Sequence, residues 1–240
     1  MKKIFVIEGL PSSGKTTFMN NCRENVKDKF SYIDEIANEL KQGETFPGNS
    51  THSGKVKEIN SWFIAKESER FQRASEYSIS KLTLMDRAYF SHLPYSFAYS
   101  KMTGRNILDL TFAYYINAAK MGLIGIPMTI LYFKIKPETS LNRTLRRKYP
   151  FSRARLPDFW LKKEFLSDVK MGYNLIFKDF KEICKVKIIN SENAIPEVYK
   201  ETIDFLDITK NNKNPYKDLN IQALAQKLLQ IKKKLKLKLR

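Results

Sequence analysis

Gly9-Leu10-Pro11-Ser12-Ser13-Gly14-Lys15-Thr16 satisfies the pattern G-x-x-x-x-G-K-[ST] at each specified position, and these residue types at this spacing suit the capture of a polyphosphate. Glycines let consecutive backbone N–H groups turn toward one anion, and a helix opening at the end of the loop adds the partial positive charge of its N-terminus. Lys15 would reach the β and γ phosphates, and the Thr16 hydroxyl is an oxygen ligand suited to Mg²⁺. Ile4 to Ile7 is an apolar run before the loop, and Phe18, Cys22 and Val26 place an apolar stripe on a helix after it. That is the strand, loop and helix setting the motif requires. Gly9, Ser12, Ser13, Gly14, Lys15, Thr16 and Thr17 are accordingly the expected contacts to ATP.

A second group with chemistry follows another apolar run, Leu82 to Met85, which ends in Asp86 and Arg87. Beside a phosphate loop, a carboxylate at a strand end completes the shell of a hydrated Mg²⁺, so Thr16 and Asp86 are the expected metal residues. Arg87 would offer a bidentate donor to a transferring or accepting phosphate. A surface Asp-Arg pair after a strand is the plain alternative. On the acceptor side, Tyr32-Ile33-Asp34-Glu35 should end a strand near the phosphates. Glu35 or Asp34 could serve as general base toward a hydroxyl, and strand alternation lets only one of them face the cleft.

Trp62, Phe63, Arg70 and Arg73 fall on the helix expected after that strand, where Trp62 could stack a base and Arg70 could hold a phosphate or a base edge. An apolar helix face packed on the sheet explains the aromatics equally well. His52 and His92 lack any metal-ligand spacing and read as loop or surface residues. Between Arg143 and Arg155 lie six basic residues and no acid. Such a cluster repels itself unless an anion is present, so Arg143, Arg146 and Arg147 are expected to close over the triphosphate as a lid.

The elements that must position these groups alternate. Apolar runs at Ile4 to Ile7, Tyr32 to Ile33, Leu82 to Met85, Met128 to Phe133 and Val186 to Ile189 are separated by stretches of helical character, which argues for an α/β fold with a parallel sheet. Residues 43 to 54 hold four of the turn-formers Gly and Pro and read as a loop; Val56 to Ser80, Ile107 to Met121 and Asn193 to Leu206 read as helices. With 240 residues, 42% of them hydrophobic, the chain supports one catalytic domain over 1–209, its lid at about 143–157, and an extension over 210–240. The only cysteines, Cys22 and Cys184, fit neither a disulfide framework nor a metal pair, and read as thiols in a reducing cytosol. No window approaches the roughly 20 apolar residues of a membrane span, and the first apolar run is too short for a signal-peptide core. A cytoplasmic location is expected.

Ile7-Glu8-Gly9 leading into the loop, Asp86-Arg87 with Tyr89 after a strand, and the Pro137-Glu138-Thr139 to Arg147 segment together resemble the thymidylate kinase and deoxynucleoside kinase family over roughly residues 3 to 205. The resemblance implies a five-stranded parallel sheet in the order 2-3-1-4-5, flanked by helices and carrying a helical lid. It matches Glu35 to the carboxylate after strand two, Asp86 and Arg87 to the metal and phosphate pair, and Arg143, Arg146 and Arg147 to the lid. It also assigns the strand Lys185 to Asn190 and the loop after it to the cradle of the donor base. No proline follows Glu35 and no Arg-Glu-Pro-Gly-Gly stretch is present, so the acceptor stays open between a (deoxy)nucleoside and a nucleoside monophosphate.

The net charge of +18 invites further readings: a kinase for another hydroxyl, such as a polynucleotide 5′ end, or a nucleotide-dependent nucleic-acid-binding module. Half of that excess sits in 210–240, with ten Lys or Arg against one Asp. Leu224, Leu228, Ile231, Leu235 and Leu239 make the tail an amphipathic helix, which could meet an anionic surface or nucleic acid. Docking on its own domain, or on a second subunit of a homodimer, is the default expectation.

Overall fold

Successive side chains of a strand point to opposite faces of a sheet, so a run apolar at every position must be covered on both sides. The computed structural model describes residues 3–45, 47, 53–146, 158–210 and 221–239. In it, Ile4 and Val6 of β1 (Ile4–Gly9) enter one core, and Phe5 and Ile7 enter another. The other strands are β2 (Phe30–Ile33), β3 (Leu82–Asp86), β4 (Thr129–Lys134) and β5 (Lys185–Asn190). All pair in parallel in the order β2-β3-β1-β4-β5, as the resemblance implied.

The helices are α1 (Lys15–Asn25), α2 (Ser53–Tyr77), α3 (Tyr89–Thr103), α4 (Ile107–Lys120), α5 (Pro137–Arg146), α6 (Lys163–Phe180), α7 (Ile195–Lys210) and α8 (Ile221–Leu237). Phe18, Met19 and Cys22 of α1 and Leu206 of α7 cover one face of the sheet; α2, α3 and α6 lie against the other, and α4 and α8 complete the core on that side from outside them. Gly172 of α6 lies against α3, where an added Cβ would stand 2.9 Å from the Pro94 Cα, so the close approach of these two helices depends on the missing side chain. Among the described residues no helix is long and apolar enough to cross a membrane.

Several expectations shift. α2 begins at Ser53, inside the loop expected over 43–54, and takes Gly54 into its first turn, where a glycine is tolerated; it ends at Tyr77 rather than Ser80. Helices α3 and α6 fall in stretches expected to be helical, for which no bounds were set. The expected lid lies largely outside the described residues, Arg147 included; residues 143–146 end α5. His52 also lies outside. His92 is on α3 rather than at a free surface, partly buried, with Nδ1 3.0 Å from the Tyr115 hydroxyl and its ring against Phe63.

The basic tail folds onto its own domain. Leu224, Leu228, Ile231 and Leu235 are buried against α4 and α6, and lysines beside that stripe pair with acids on those helices and in the turn after α6. Lys232 and Lys236 lie 3.2 and 2.6 Å from Asp109, Lys234 lies 2.7 Å from Asp179, and Lys227 lies 2.5 Å from Glu182.

Candidate active site

The register brings Gly9 opposite Phe133 and Ile7 opposite Asp86, so the carboxyl ends of β1 and β3 open onto one edge of the sheet. There β1 runs into the glycine loop. Gly9 has φ 151, and a Cβ on it would stand 2.4 Å from the Phe133 carbonyl oxygen, so no other residue fits. Gly14, at φ 91, leads into α1, and no side chain caps the helix. Its first N–H groups have no partner within the helix and point at the concavity of the loop.

Lys15 is 4% exposed. Its Nζ donates to the Gly9 carbonyl at 3.3 Å, the Leu10 carbonyl at 2.9 Å and the Ser13 hydroxyl at 3.1 Å, so the ammonium bends back over the loop. Burial is the largest influence on it and, with the nearby Arg87, lowers its pKa to about 7. An anion held by the loop would reverse that shift. The Thr16 side chain is exposed, whereas Ser12 is buried, with Oγ 2.9 Å from Thr144 Oγ1 of α5. Ser140 donates to the Pro11 carbonyl at 2.7 Å, so α5 is fastened to the loop by two hydroxyls.

Asp86 is 2% exposed and its Oδ1 has no hydrogen-bond partner. Burial first, and Glu35 next, push its carboxyl up to about 6. A buried carboxylate oxygen without a donor, close enough to Lys15 of the loop to feel its charge, fits the oxygen ligands that hydrated Mg²⁺ takes.

Arg87 adopts φ 60, a left-handed conformation that costs a non-glycine residue of order 1–3 kcal/mol. Its backbone N–H, donating to the Ile7 carbonyl at 2.9 Å, helps hold it there. Nη1 donates to the Gly9 carbonyl at 3.1 Å, the Ser91 hydroxyl at 3.0 Å and the Tyr173 hydroxyl at 3.4 Å, while Nε lies 2.8 Å from Glu35 Oε1 as an ion pair outside hydrogen-bond angles. Behind it Glu8, fully buried, accepts the Ala88 N–H at 2.9 Å, the Ser91 hydroxyl at 2.6 Å and the Tyr173 hydroxyl at 3.1 Å. Burial raises the Glu8 pKa, opposed chiefly by Arg87.

Of the two acids after β2, Glu35 is the one turned to Arg87. Asp34 turns toward α1, where Arg23 meets it at 2.5 Å. Trp62 is partly buried, edge-on to Phe63 with Lys66 over its ring. Arg70 is the clear departure: expected as a substrate contact, it is 1% exposed, and each guanidinium nitrogen is engaged by protein oxygens, which leaves no donor for a ligand. Arg143 lines a cleft on the β5 side of the loop with Thr17, Ser191, Asn193 and Tyr199, and the buried Ser191 hydroxyl there has no partner. Arg146 is exposed. Glu192, which accepts the Lys136 N–H at 2.5 Å and the Thr139 hydroxyl at 2.8 Å, ties the loop after β5 to the start of α5.

Sequence reasoning gave no role to Ser91, Tyr173, Thr144 or Glu67. Arg87, with φ 60, stands before α3, so helical spacing does not link it to Ser91; Ser91, Tyr173 and Thr144 reach the site through tertiary packing, which no local signal marks.

A family model described as thymidylate kinase matches residues 7–202. No curated protein matches. Among solved structures, the chain is similar to deoxyadenosine kinase from M. mycoides with products dCMP and a flexible dCDP bound, at TM-score 0.65 and 12% identity, over 85% of this chain and 99% of that one. It is also similar to thymidylate kinase from Candida albicans, at TM-score 0.63 and 17% identity, over 88% and 93% of the two chains. At these identities the structural likeness speaks for the fold; the family match covers most of the chain.

Proposed function

Because the chain belongs to the thymidylate kinase family, a family of nucleoside and nucleotide kinases, we propose that its reaction is transfer of the ATP γ-phosphoryl to a deoxynucleoside 5′-hydroxyl, with a nucleoside monophosphate as the competing acceptor. The observation that carries the hydroxyl reading is Glu35, whose carboxylate stands against Arg87 at the open end of the sheet. A hydroxyl must lose a proton as it attacks, whereas a phosphate acceptor is already an anion.

In this reading the loop amides and Lys15 hold the β and γ phosphates, and Thr16 and Asp86 hold Mg²⁺. The metal, when bound, supplies charge neutralisation across those phosphates. Arg87 is fixed by Gly9, Ser91 and Tyr173 so that the rest of its guanidinium can meet the phosphoryl group in transit. Glu35, held beside Arg87, takes the acceptor proton. Arg143, with Arg146 and Arg147 beyond it, would close over the donor, and the cleft lined by Asn193 and Tyr199 would take its base. Trp62 remains our candidate for stacking the acceptor base. M. mycoides deoxyadenosine kinase, a structural neighbour solved with dCMP, supports a deoxynucleoside acceptor here. Both cysteines are free and buried, which suits the cytosol.

Glu35→Gln tests the assignment. If the acceptor is a hydroxyl, kcat should fall by about 100-fold or more, while the affinity for Mg-ATP is retained. Near wild-type turnover of a nucleoside by the variant would remove Glu35 as base, whereas undiminished transfer to a monophosphate, with none to a nucleoside, would return the acceptor to the monophosphate class.

A further inference from the structure

Parallel pairing of β2 with β3 ends at Ile33 opposite Met85. The carbonyls of Asp34, Asp86 and Arg87 lie at or beyond that end, where the β2–β3 ladder supplies no further donor, and a buried carbonyl without a partner is costly. Arg70 of α2 supplies the donors. Its Nε and Nη2 reach the Asp34 carbonyl at 3.1 and 2.6 Å, and Nη2 also reaches the carbonyls of Asp86 at 2.7 Å and Arg87 at 3.0 Å. Nη1 spans both carboxylate oxygens of Glu67 at 3.2 and 3.1 Å. Glu39 extends the same clamp: one oxygen accepts the Asp34 N–H at 3.2 Å, and the other lies 3.7 Å from Arg70 Nε.

A charge buried this deeply is expensive to keep and is often replaceable by an apolar side chain without loss of stability. Its value here lies in where it sits. The three carbonyls belong to Asp86, to Arg87 and to the residue before Glu35, so a single planar fork sets the separation of two strand ends that together carry the metal carboxylate, the phosphate arginine and the base. It also grips the peptide of Arg87, whose φ of 60 needs outside support. None of its hydrogen bonds goes to the glycine loop.

We infer that Arg70 is a positioning residue for phosphoryl transfer: it touches no substrate and acts by locking the ends of β2 and β3 so that Glu35, Asp86 and Arg87 stand in mutual register. This rests on the roles given above to those three residues.

Arg70→Lys keeps the charge but cannot span three carbonyls and a carboxylate. The expected outcome is a cooperatively folded protein with wild-type affinity for Mg-ATP and a kcat lowered by about 100-fold, the scale of a misplacement of about 1 Å. In an Arg87→Ala background the same change should lower kcat by less than about threefold, because residues acting as one unit are not additive. Losses that multiply in the double variant, or an Arg70→Lys enzyme with near wild-type kcat, overturn the inference. A crystal structure of Arg70→Lys separates it from the proposed function. Widening of the Glu35–Arg87 pair past 4 Å supports the clamp even if the wild type turns over no nucleoside, and unmoved strand ends refute it even if the wild type is an active kinase. Should Arg70→Lys fail to fold, Glu67→Gln leaves the guanidinium in place and loosens one arm; a roughly tenfold lower kcat at unchanged Mg-ATP affinity supports the clamp, and an unchanged kcat refutes it.

Discussion

At the scale of single residues, burial decides which side chains act. Lys15 and Asp86 at the concavity, and Glu8 behind Arg87, are all nearly or fully buried, and each is pushed toward its neutral form. Such a constellation is costly without a ligand and suits a site that takes up a polyanion together with a cation. His92 is displaced the same way, held down to about 4 by burial against Phe63 and Tyr115. The unfolded chain therefore takes up a proton between about 6.5 and about 4 that the folded chain refuses, so this residue costs stability as pH falls through that window. Thermal melts of wild type and His92→Gln across it should show the wild type losing more; parallel losses would contradict the account. The places of Lys15, Thr16, Asp86 and Arg87 were legible in the sequence because motif spacing and a strand end fix where they go; Asp34 and Glu35 stayed open there, and the fold turns Glu35 to Arg87. Arg70 was not. Its place on α2 suits a substrate contact and a clamp alike, and only the positions of the Asp34, Asp86 and Arg87 carbonyls decide between them.

At the scale of elements, the sheet was readable because its strands are short apolar runs bounded by helices. The same principle hid α3. Buried from Tyr89 to Ser100 apart from Ser91 and His92, and interrupted by Pro94, it has no polar face against which a helical period could register. Helix α6 did carry a readable stripe through Phe165, Val169, Tyr173, Ile176 and Phe180. Gly9 is the joint on which the loop turns. Gly9→Ala should destabilise the fold by more than about 1 kcal/mol and weaken Mg-ATP binding, since both the dihedral and the Phe133 carbonyl exclude a methyl group. An alanine variant with unchanged melting and unchanged nucleotide affinity would show the joint to be less constrained. Helix α8 is judged by its stripe. Leu228→Ala, at a fully buried position, is expected to cost about 2–5 kcal/mol, measured by urea unfolding. A loss below about 0.5 kcal/mol would mean that α8 does not dock as described.

At the scale of the whole molecule, the net charge of +18 pointed in several directions, and the fold narrows them. Four lysines of the tail face Asp109, Asp179 and Glu182, each pair with one partner buried or mostly buried, and they fix how α8 lies on α4 and α6. The apolar stripe of α8, an expected match for an anionic surface, is spent on the protein's own core. Among the described residues, the concave edge where β1, β2 and β3 end is built for an anion, with α5 fastened to its rim by Ser140 and Thr144.

The most direct measurement is transfer of label from γ-labelled ATP, with Mg²⁺, to a panel of deoxynucleosides and nucleoside monophosphates by wild type, Lys15→Ala and Asp86→Ala. The account expects labelled product from at least one acceptor with wild type and none above background with either variant, both variants still melting cooperatively. No transfer to any acceptor by folded wild type, or undiminished transfer by Lys15→Ala, would contradict it.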